Sequence, residues 1–456
     1  MAENRTIAAI STAQGEGGIG VIRISGDEAV YIADRVFRSV SGRLLANMKG
    51  YTAAFGHIYR ENEKLDEAVA TVFRSPHSYT GEDVVELSCH GGIFITREVL
   101  RAVLDSGAEL AEAGEFTKRA FINGKLDLTE AEAVIDIITA KSRAAARAAL
   151  YAKDGALWRK VEAIKNDLVA TAAHFSAWAD YPEEDIQEVS AENLKQTFEN
   201  NLTKLDKLLN TFEYSRTVKE GIDTVIAGKP NTGKSTLMNL LAGEDRSIVT
   251  DIPGTTRDIV TESVMVGDVL LRLNDTAGIR STDDMVEKIG VDIALKRLTN
   301  CGLVLAVFDG SKPLGSDDIK LLDALSDAPS VGIINKSDLP QEIDGGIVAE
   351  KLNYVVRISA KNGDGLGELT KIITEIAGTD NFNPGEGIVA NERQREAVQR
   401  ARDSLSEAYA ALNIGMTLDA VTIALEESIQ HILELLGENV GEAVVDSVFH
   451  NFCVGK

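Results

Sequence analysis

The sequence predicts a multidomain chain: an α+β domain first, then a helical domain in two pieces, with an α/β domain inserted between the pieces. Three observations carry this. The chain has 456 residues, more than one core of roughly 100 to 200 residues serves. Its texture changes near residue 123, from short β-rich runs to long alanine-rich segments with few glycines. It changes again near residue 221, to β-runs alternating with helices, and returns to helix from Glu392.

Taken in order, residues 1–122 mix the β-runs "TIAAIS", "GVIRIS", "AVATVF" and "DVVELSC" with the helical stretch "TREVLRAVLDSG", which Gly107 closes. The glycines of "GEGGIG" resemble a dinucleotide loop. Such a loop opens a helix, whereas the β-run "VIRIS" follows here, so they read as a turn between strands with Arg23 at its exit. Residues 123–216 place apolar residues at three- and four-residue intervals, the period of a helical bundle. Residues 217–378 carry "DTVIAG", "DVLLRLND", "GLVLAVFD", "VGIINKSD" and "YVVRISA", the pattern of a parallel sheet covered by helices. After the loop-like "TDNFNPGEG", residues 379–456 return to helix. The ends of a compact insert commonly lie close together, so the later helices are expected to pack on the earlier ones.

Composition excludes several classes. The longest weighty apolar run, "LVLAVF", is far short of the ~20 residues a bilayer span needs, and the N-terminus lacks the pattern of a secretory signal. Cys89, Cys301 and Cys453 are too scattered for a disulfide framework or a zinc site, and reduced thiols point to the cytosol. A net charge of -24 argues against non-specific binding of nucleic acid. It leaves room for a local basic face: Lys141, Arg143, Arg147 and Lys153 lie in one acid-free stretch, and Arg393, Arg395, Arg400 and Arg402 form a second basic cluster, although solvated helix faces explain both. His90, with no second ligand at metal spacing, reads as a turn or core residue.

The insert carries the chemistry. In "GKPNTGKST", residues 228–236, glycines let backbone N–H groups curl around phosphates, Lys234 supplies a cation and Ser235 a magnesium ligand. "DTAG", Asp275 to Gly278, supplies an aspartate for the magnesium shell and an N–H to sense a γ-phosphate. In "NKSD", Asn335 to Asp338, an aspartate can accept both guanine N–H groups. "SAK", Ser359 to Lys361, follows at the last strand, and "PGTTRD" places Thr256 on a segment able to complete the magnesium site. Together they imply a guanine-nucleotide site. Ras-like enzymes position the attacking water with a glutamine soon after DTAG, but Ile279 and Arg280 stand here. Glu287 is one replacement, or else a solvated helix-start acid like Asp283 and Asp284. Asn231 is another, as a neutral ligand for a monovalent cation near the phosphates, or else a turn-forming asparagine.

These motifs, with "TIAAISTAQGEGGIGVIRISG" at 6–26, "SCHGG" at 88–92, "AEAGEFTKRAFINGKLDL" at 111–128 and the terminal "CVGK", resemble the tRNA wobble-uridine modification GTPases of the MnmE/TrmE family over almost the full length. Only "STAQGEG" departs, with Ala13 and Gln14 where a proline-containing turn is expected. The resemblance implies an α+β folate-binding-like N-terminal domain that dimerises (1–122), a discontinuous α-helical domain (123–216 and 379–456, with the CVGK tail) and an inserted Ras-like α/β P-loop GTPase domain (217–378). It further implies GTP hydrolysis, stimulated by K+ and requiring Mg2+. On the same resemblance, hydrolysis would be coupled to placing an aminomethyl or carboxymethylaminomethyl group on C5 of the tRNA wobble uridine. The one-carbon donor would be a tetrahydrofolate derivative, in the 5,10-methylene or 5-formyl form. A homodimer would join an FAD-containing partner protein in a heterotetramer.

Residue by residue, the resemblance puts potassium on Asn231, Thr250, Thr255 and the backbone carbonyl of Ile252, and magnesium on Ser235 and Thr256. It gives water orientation to Glu287. GTP contacts fall on Asn231, Thr232, Gly233, Lys234, Ser235 and Thr236, and on the switch residues Thr250, Asp251, Ile252, Pro253, Gly254, Thr255 and Thr256. Further contacts are Asp275, Thr276, Ala277 and Gly278, then Asn335, Lys336 and Asp338, then Ser359, Ala360 and Lys361. Folate contacts fall on Arg23, Glu86, Lys125 and Lys456. Two other readings compete: a ribosome-assembly GTPase switch, and a folate-dependent transferase regulated by GTP. Val445, Val448, Phe449 and Phe452 recur at helical spacing, so a last amphipathic helix is expected to deliver Lys456 and Cys453, a candidate nucleophile or redox thiol, to the N-terminal domain near a dimer centre.

Overall fold

The computed structural model describes residues 5–180, 191–244, 262–273, 302–325, 328–378, 383–450 and 452–455. Contacts divide the chain into two compact units, one of Met1–Ile135, Lys153–Glu199 and Arg400–Lys456, the other of Asp136–Ala152 and Asn200–Gln399. Among the described residues no helix is long and apolar enough to cross a membrane.

In the first unit the β-runs become β1 (Ile7–Ile10), β2 (Ile19–Ser25), β3 (Phe37–Ser39), β4 (Thr52–Arg60), β5 (Glu63–Phe73), β6 (Val84–His90) and β7 (Glu109–Leu110). They form one sheet in the order β3-β4-β5-β6-β2-β1-β7. All pairs are antiparallel except β1 with β7. Alternation decides which face is covered: Ile22 and Ile24 of β2, Ala68, Ala70 and Val72 of β5, and Val85 and Leu87 of β6 are buried in one core. Helices Ala29–Val36 and Ile93–Asp105 close that core with residues such as Ile32, Val99 and Val103. The glycine-rich stretch before Ile19 does join two strands, β1 and β2.

Helices complete this unit. Ala156–Asp180 and Leu418–Leu436 pack side by side, and Lys165 Nζ donates to Glu438 Oε1 at 2.7 Å, so the later helical block does meet the earlier one. The last helix, Glu442–His450, puts Val445 and Phe449, with Phe452 beyond it, into a cluster with Leu128 and Ala131. Each such burial is worth about 2 kcal/mol. The chain then runs back beside the start of the sheet: Val454 bridges antiparallel to Ala113, and Ser11 Oγ donates to Gly455 O at 3.0 Å. Gly455 has a φ of 99° and lies against the Ile10 carbonyl, which leaves no room for a Cβ.

The second unit holds β8 (Ile222–Ala227), β9 (Glu262–Val266), β10 (Val269–Leu273), β11 (Leu303–Asp309), β12 (Ser330–Asn335) and β13 (Tyr354–Arg357), in the order β13-β12-β11-β8-β10-β9. Only the edge pair β9/β10 is antiparallel. β11 is buried at every residue, as a central parallel strand covered on both faces requires. Leu303, Leu305 and Val307 enter one core and Val304, Ala306 and Phe308 the other. Helix Thr211–Glu220 carries the chain past residue 216 to Gly221, directly before β8.

Candidate functional site

The parallel order β12-β11-β8 brings three strand ends together, and the register sets Asp309 opposite Asn335 beside the loop that leaves β8. Ligands of such sheets sit at the carboxyl ends of the strands. Between β8 and helix Lys234–Glu244 the loop follows the glycine pattern for steric reasons. Gly228 (φ 148°) lies against the Val307 carbonyl and Gly233 (φ 96°) against the Asn335 amide, so neither has room for a Cβ. Asn231 adopts the left-handed region without being glycine (φ 63°). Lys234 Nζ donates to the carbonyls of Gly228 (2.9 Å) and Lys229 (2.7 Å), and Thr232 Oγ1 to that of Lys229 (3.0 Å). Ser235 and Thr236 are exposed at the helix start.

Buried Asn335 ties two motifs together: its Nδ2 donates to Thr232 O (2.8 Å) and its Oδ1 accepts from Ala360 N (2.9 Å). Lys336 Nζ reaches Asn231 O (2.8 Å) and Asp309 Oδ2 (2.6 Å). Burial pushes the Asp309 carboxyl up, but hydrogen bonds from Lys336 and Ser311 outweigh it and hold the group below its usual range. Ser359 Oγ donates to Asp338 Oδ1 (2.7 Å) and is the main reason that Asp338, exposed to solvent, stays below the usual carboxylate range. Lys361 is exposed beside them in sequence. The structure thus brings together residues 231–236, Asn335, Lys336, Asp338, Ser359 and Ala360. Thr250, Asp251, Ile252, Pro253, Gly254, Thr255, Thr256, Asp275, Thr276, Ala277, Gly278, Glu287 and Lys456 lie outside the described residues.

In the N-terminal unit, Arg23 on β2 and Glu86 on β6 are cross-strand partners. Arg23 Nε (3.0 Å) and Nη2 (2.8 Å) both donate to Glu86 Oε1. The guanidinium lies 5.4 Å from the Tyr79 ring centroid and 5.6 Å from that of Phe116. Lys125 Nζ donates to Pro76 O (3.1 Å), on the same loop as Tyr79, and Asn123 Nδ2 to Thr80 O (2.7 Å). The sequence gives no local sign of Tyr79 or Phe116 as site residues: nothing within "AEAGEFTKRAF" says that its Phe116 meets Arg23. Cys453 is exposed, whereas Cys89 is buried and its thiol is pushed up to about 11, by burial first and Asp66 second. His90 is neither in a turn nor in the core: it ends β6 in the open, with Nδ1 2.7 Å from Asp66 Oδ1. Among the described residues no group of three or more His, Cys, Asp or Glu is gathered to hold a metal. Arg143 and Arg147 are exposed, while Arg395 is bonded to Glu392 and lies over the Phe212 ring.

A family model described as the GTP-binding protein TrmE N-terminus matches residues 6–125, and one described as the MnmE helical domain matches residues 128–453. Among curated relatives, the tRNA modification GTPase MnmE of Clostridioides difficile (strain 630) is 41% identical over 454 residues, 99% of each chain. The protein of the same name from Symbiobacterium thermophilum is 43% identical over 455 residues, again 99% of each. Among solved structures, the G domain of the T. maritima FeoB iron transporter is 28% identical and covers 34% of this chain and 98% of its own, but the TM-score of 0.25 gives that likeness no weight. Two family models and near-complete coverage of relatives at this identity lead to one conclusion: the chain belongs to the MnmE family of tRNA modification GTPases and hydrolyses GTP.

Proposed function

We propose that GTP hydrolysis by this chain is stimulated by potassium and coupled to placing an aminomethyl or carboxymethylaminomethyl group on C5 of the wobble uridine. The one-carbon unit would come from 5,10-methylene- or 5-formyl-tetrahydrofolate. The chain acts in the cytosol as a homodimer, joined to an FAD-containing protein. Residues 1–122 hold the folate and the dimer contact, 123–216 with 379–456 form the helical support, and 217–378 hydrolyse GTP.

The observation that carries the reading is Asn231, held in the left-handed region inside the phosphate loop with its carbonyl bonded by Lys336. There its neutral side-chain oxygen would stand next to the phosphates. With the carbonyl of Ile252 and the hydroxyls of Thr250 and Thr255 it would ligate K+, whose charge would offset that developing on the phosphates. Ser235 and Thr256 would ligate Mg2+, Lys234 would neutralise the phosphates, Glu287 would orient the attacking water and Asp338 would select guanine. The remaining nucleotide contacts come from Thr232, Gly233, Thr236, Asp251, Pro253, Gly254, Asp275, Thr276, Ala277, Gly278, Asn335, Lys336, Ser359, Ala360 and Lys361. In the first unit, Arg23, Glu86, Lys125 and Lys456 bind the folate, and Cys453 stands by as a nucleophile or redox thiol. The Arg23 cation, flanked by two rings and a carboxylate, supports that assignment: it offers a flat polar edge beside apolar faces.

GTP turnover measured in potassium and in sodium tests the reading. Wild type is expected to be faster in potassium by about tenfold or more, with Asn231→Ala losing the difference. Equal rates in the two salts overturn it.

A further inference from the structure

The phosphate loop is held from outside by two carboxylates that its motif does not contain. We propose that Asp309 and Asp318 are positioning residues for the bound nucleotide, each fixing one segment of the loop through a lysine ammonium. The inference rests on reading residues 228–236 as the nucleotide site.

Asp318, on helix Ser316–Ala324, is 4% exposed. Its Oδ2 accepts from Lys229 Nζ at 2.5 Å and from Gly315 N at 2.9 Å. Lys229 is the first variable residue of the loop, and its carbonyl is the acceptor shared by Lys234 Nζ and Thr232 Oγ1. An ion pair at its side chain therefore anchors the backbone to which the key lysine is bonded. On the other flank, Asp309 Oδ2 receives Lys336 Nζ, and the same ammonium holds Asn231 O. Asp309 is fixed in turn by Ser311 Oγ at 2.7 Å.

Two facts make these pairs more than surface ornaments. Asn231 and Lys336 both adopt positive φ, 63° and 66°, at a cost of about 1 kcal/mol or more each, which persists only where surroundings enforce it. The bonds through Lys336 supply that enforcement. A peptide C=O and its N–H also point opposite ways, so pinning Asn231 O toward Lys336 aims the Thr232 N–H away from it. Between the two braces lies a cavity of about 250 Å³ bordered by Lys229, Thr232, Leu314, Asp309 and Asp318. On this side of the loop the two lysine pairs flank open space, whereas Gly228 and Gly233 pack against Val307 and Asn335 on the other.

The test uses the full-length protein. Asp318→Asn and Asp309→Asn keep shape and remove charge; Lys229→Met removes the partner. Each is expected to speed release of a fluorescent GDP analogue about tenfold and to raise KM for GTP, with kcat within about twofold of wild type. Lys229→Met with Asp318→Asn is expected to be no worse than either alone. Unchanged release, a loss in kcat at constant KM, or a lowered melting temperature with normal release overturns the proposal, the last by making the aspartates merely structural. Lys234→Ala separates the two readings. If it speeds release and the aspartate variants do not, only this inference falls; if it too leaves release unchanged, the nucleotide-site reading falls with it.

Discussion

The phosphate loop takes its backbone from the consecutive residues Gly228 to Thr236, one strand exit and one helix start. The cluster around Arg23 draws Tyr79, Glu86 and Phe116 from three further parts of the chain. In the loop, most of the chemistry is written in adjacent letters because backbone N–H groups do the work. In the cluster, chemistry depends on which strands are neighbours, because β2 and β6 must pair in register to set Arg23 opposite Glu86. The loop also leans on Asp309, Asp318 and Asn335 from later elements, but the assembled cluster depends on the fold for every contact it makes.

The largest effect is expected where the contiguous site is struck directly. Gly233→Ala places a Cβ at positive φ against the Asn335 amide. GTP hydrolysis should fall by about a hundredfold or more while the first unit keeps its stability. Hydrolysis within a few-fold of wild type would show that the loop tolerates what its geometry forbids.

A smaller effect should come from the first unit, where the last helix docks beside the helix that carries Phe116. Gly114 has a φ of 69°, and a Cβ there would lie 2.7 Å from Phe449 O and 2.9 Å from Phe452 Cβ. Gly114→Ala is expected to destabilise the first unit by about 2 to 4 kcal/mol, because a strained backbone and a displaced last helix add up. It should leave the rate of GTP hydrolysis by still-folded protein unchanged. Denaturant melts monitored in the first unit check this, and an unaltered midpoint would mean that the tail is not docked as described.

The smallest is a pH effect. The bond to Asp66 raises the His90 value above the ordinary 6.5, so the pair contributes full stability below that ordinary value and loses it as pH rises through the raised one. His90→Gln should therefore cost most near about pH 6 and little near about pH 9. A difference that grows with pH would reverse the sign.

Much of the fold was legible because it obeys short-range rules. The unbroken apolar run of β11 announced a strand buried on both faces, and "GKPNTGKST" announced a loop whose glycines do lack room for side chains. The amphipathic spacing of Val445, Phe449 and Phe452 gave a last helix that packs on Leu128. Other features were illegible for the opposite reason. Tyr79 and Phe116 meet Arg23 only through sheet order and a loop clamp. Asp309 and Asp318 look like ordinary strand-end and helix-start acids until the register of β11 with β8 brings Asp309 to the loop and the helix after β11 brings Asp318 to Lys229. His90 was misread because its partner, Asp66, comes from a different strand, β5.

Under the proposed function, nucleotide chemistry at the loop drives modification of tRNA. The most direct measurement is mass analysis of tRNA nucleosides from cells whose only copy of this protein carries Lys234→Ala, checked to be folded and present at normal level. The expected result is wobble uridine without its C5 substituent, matching cells from which the protein has been deleted. A normally substituted wobble uridine would contradict it.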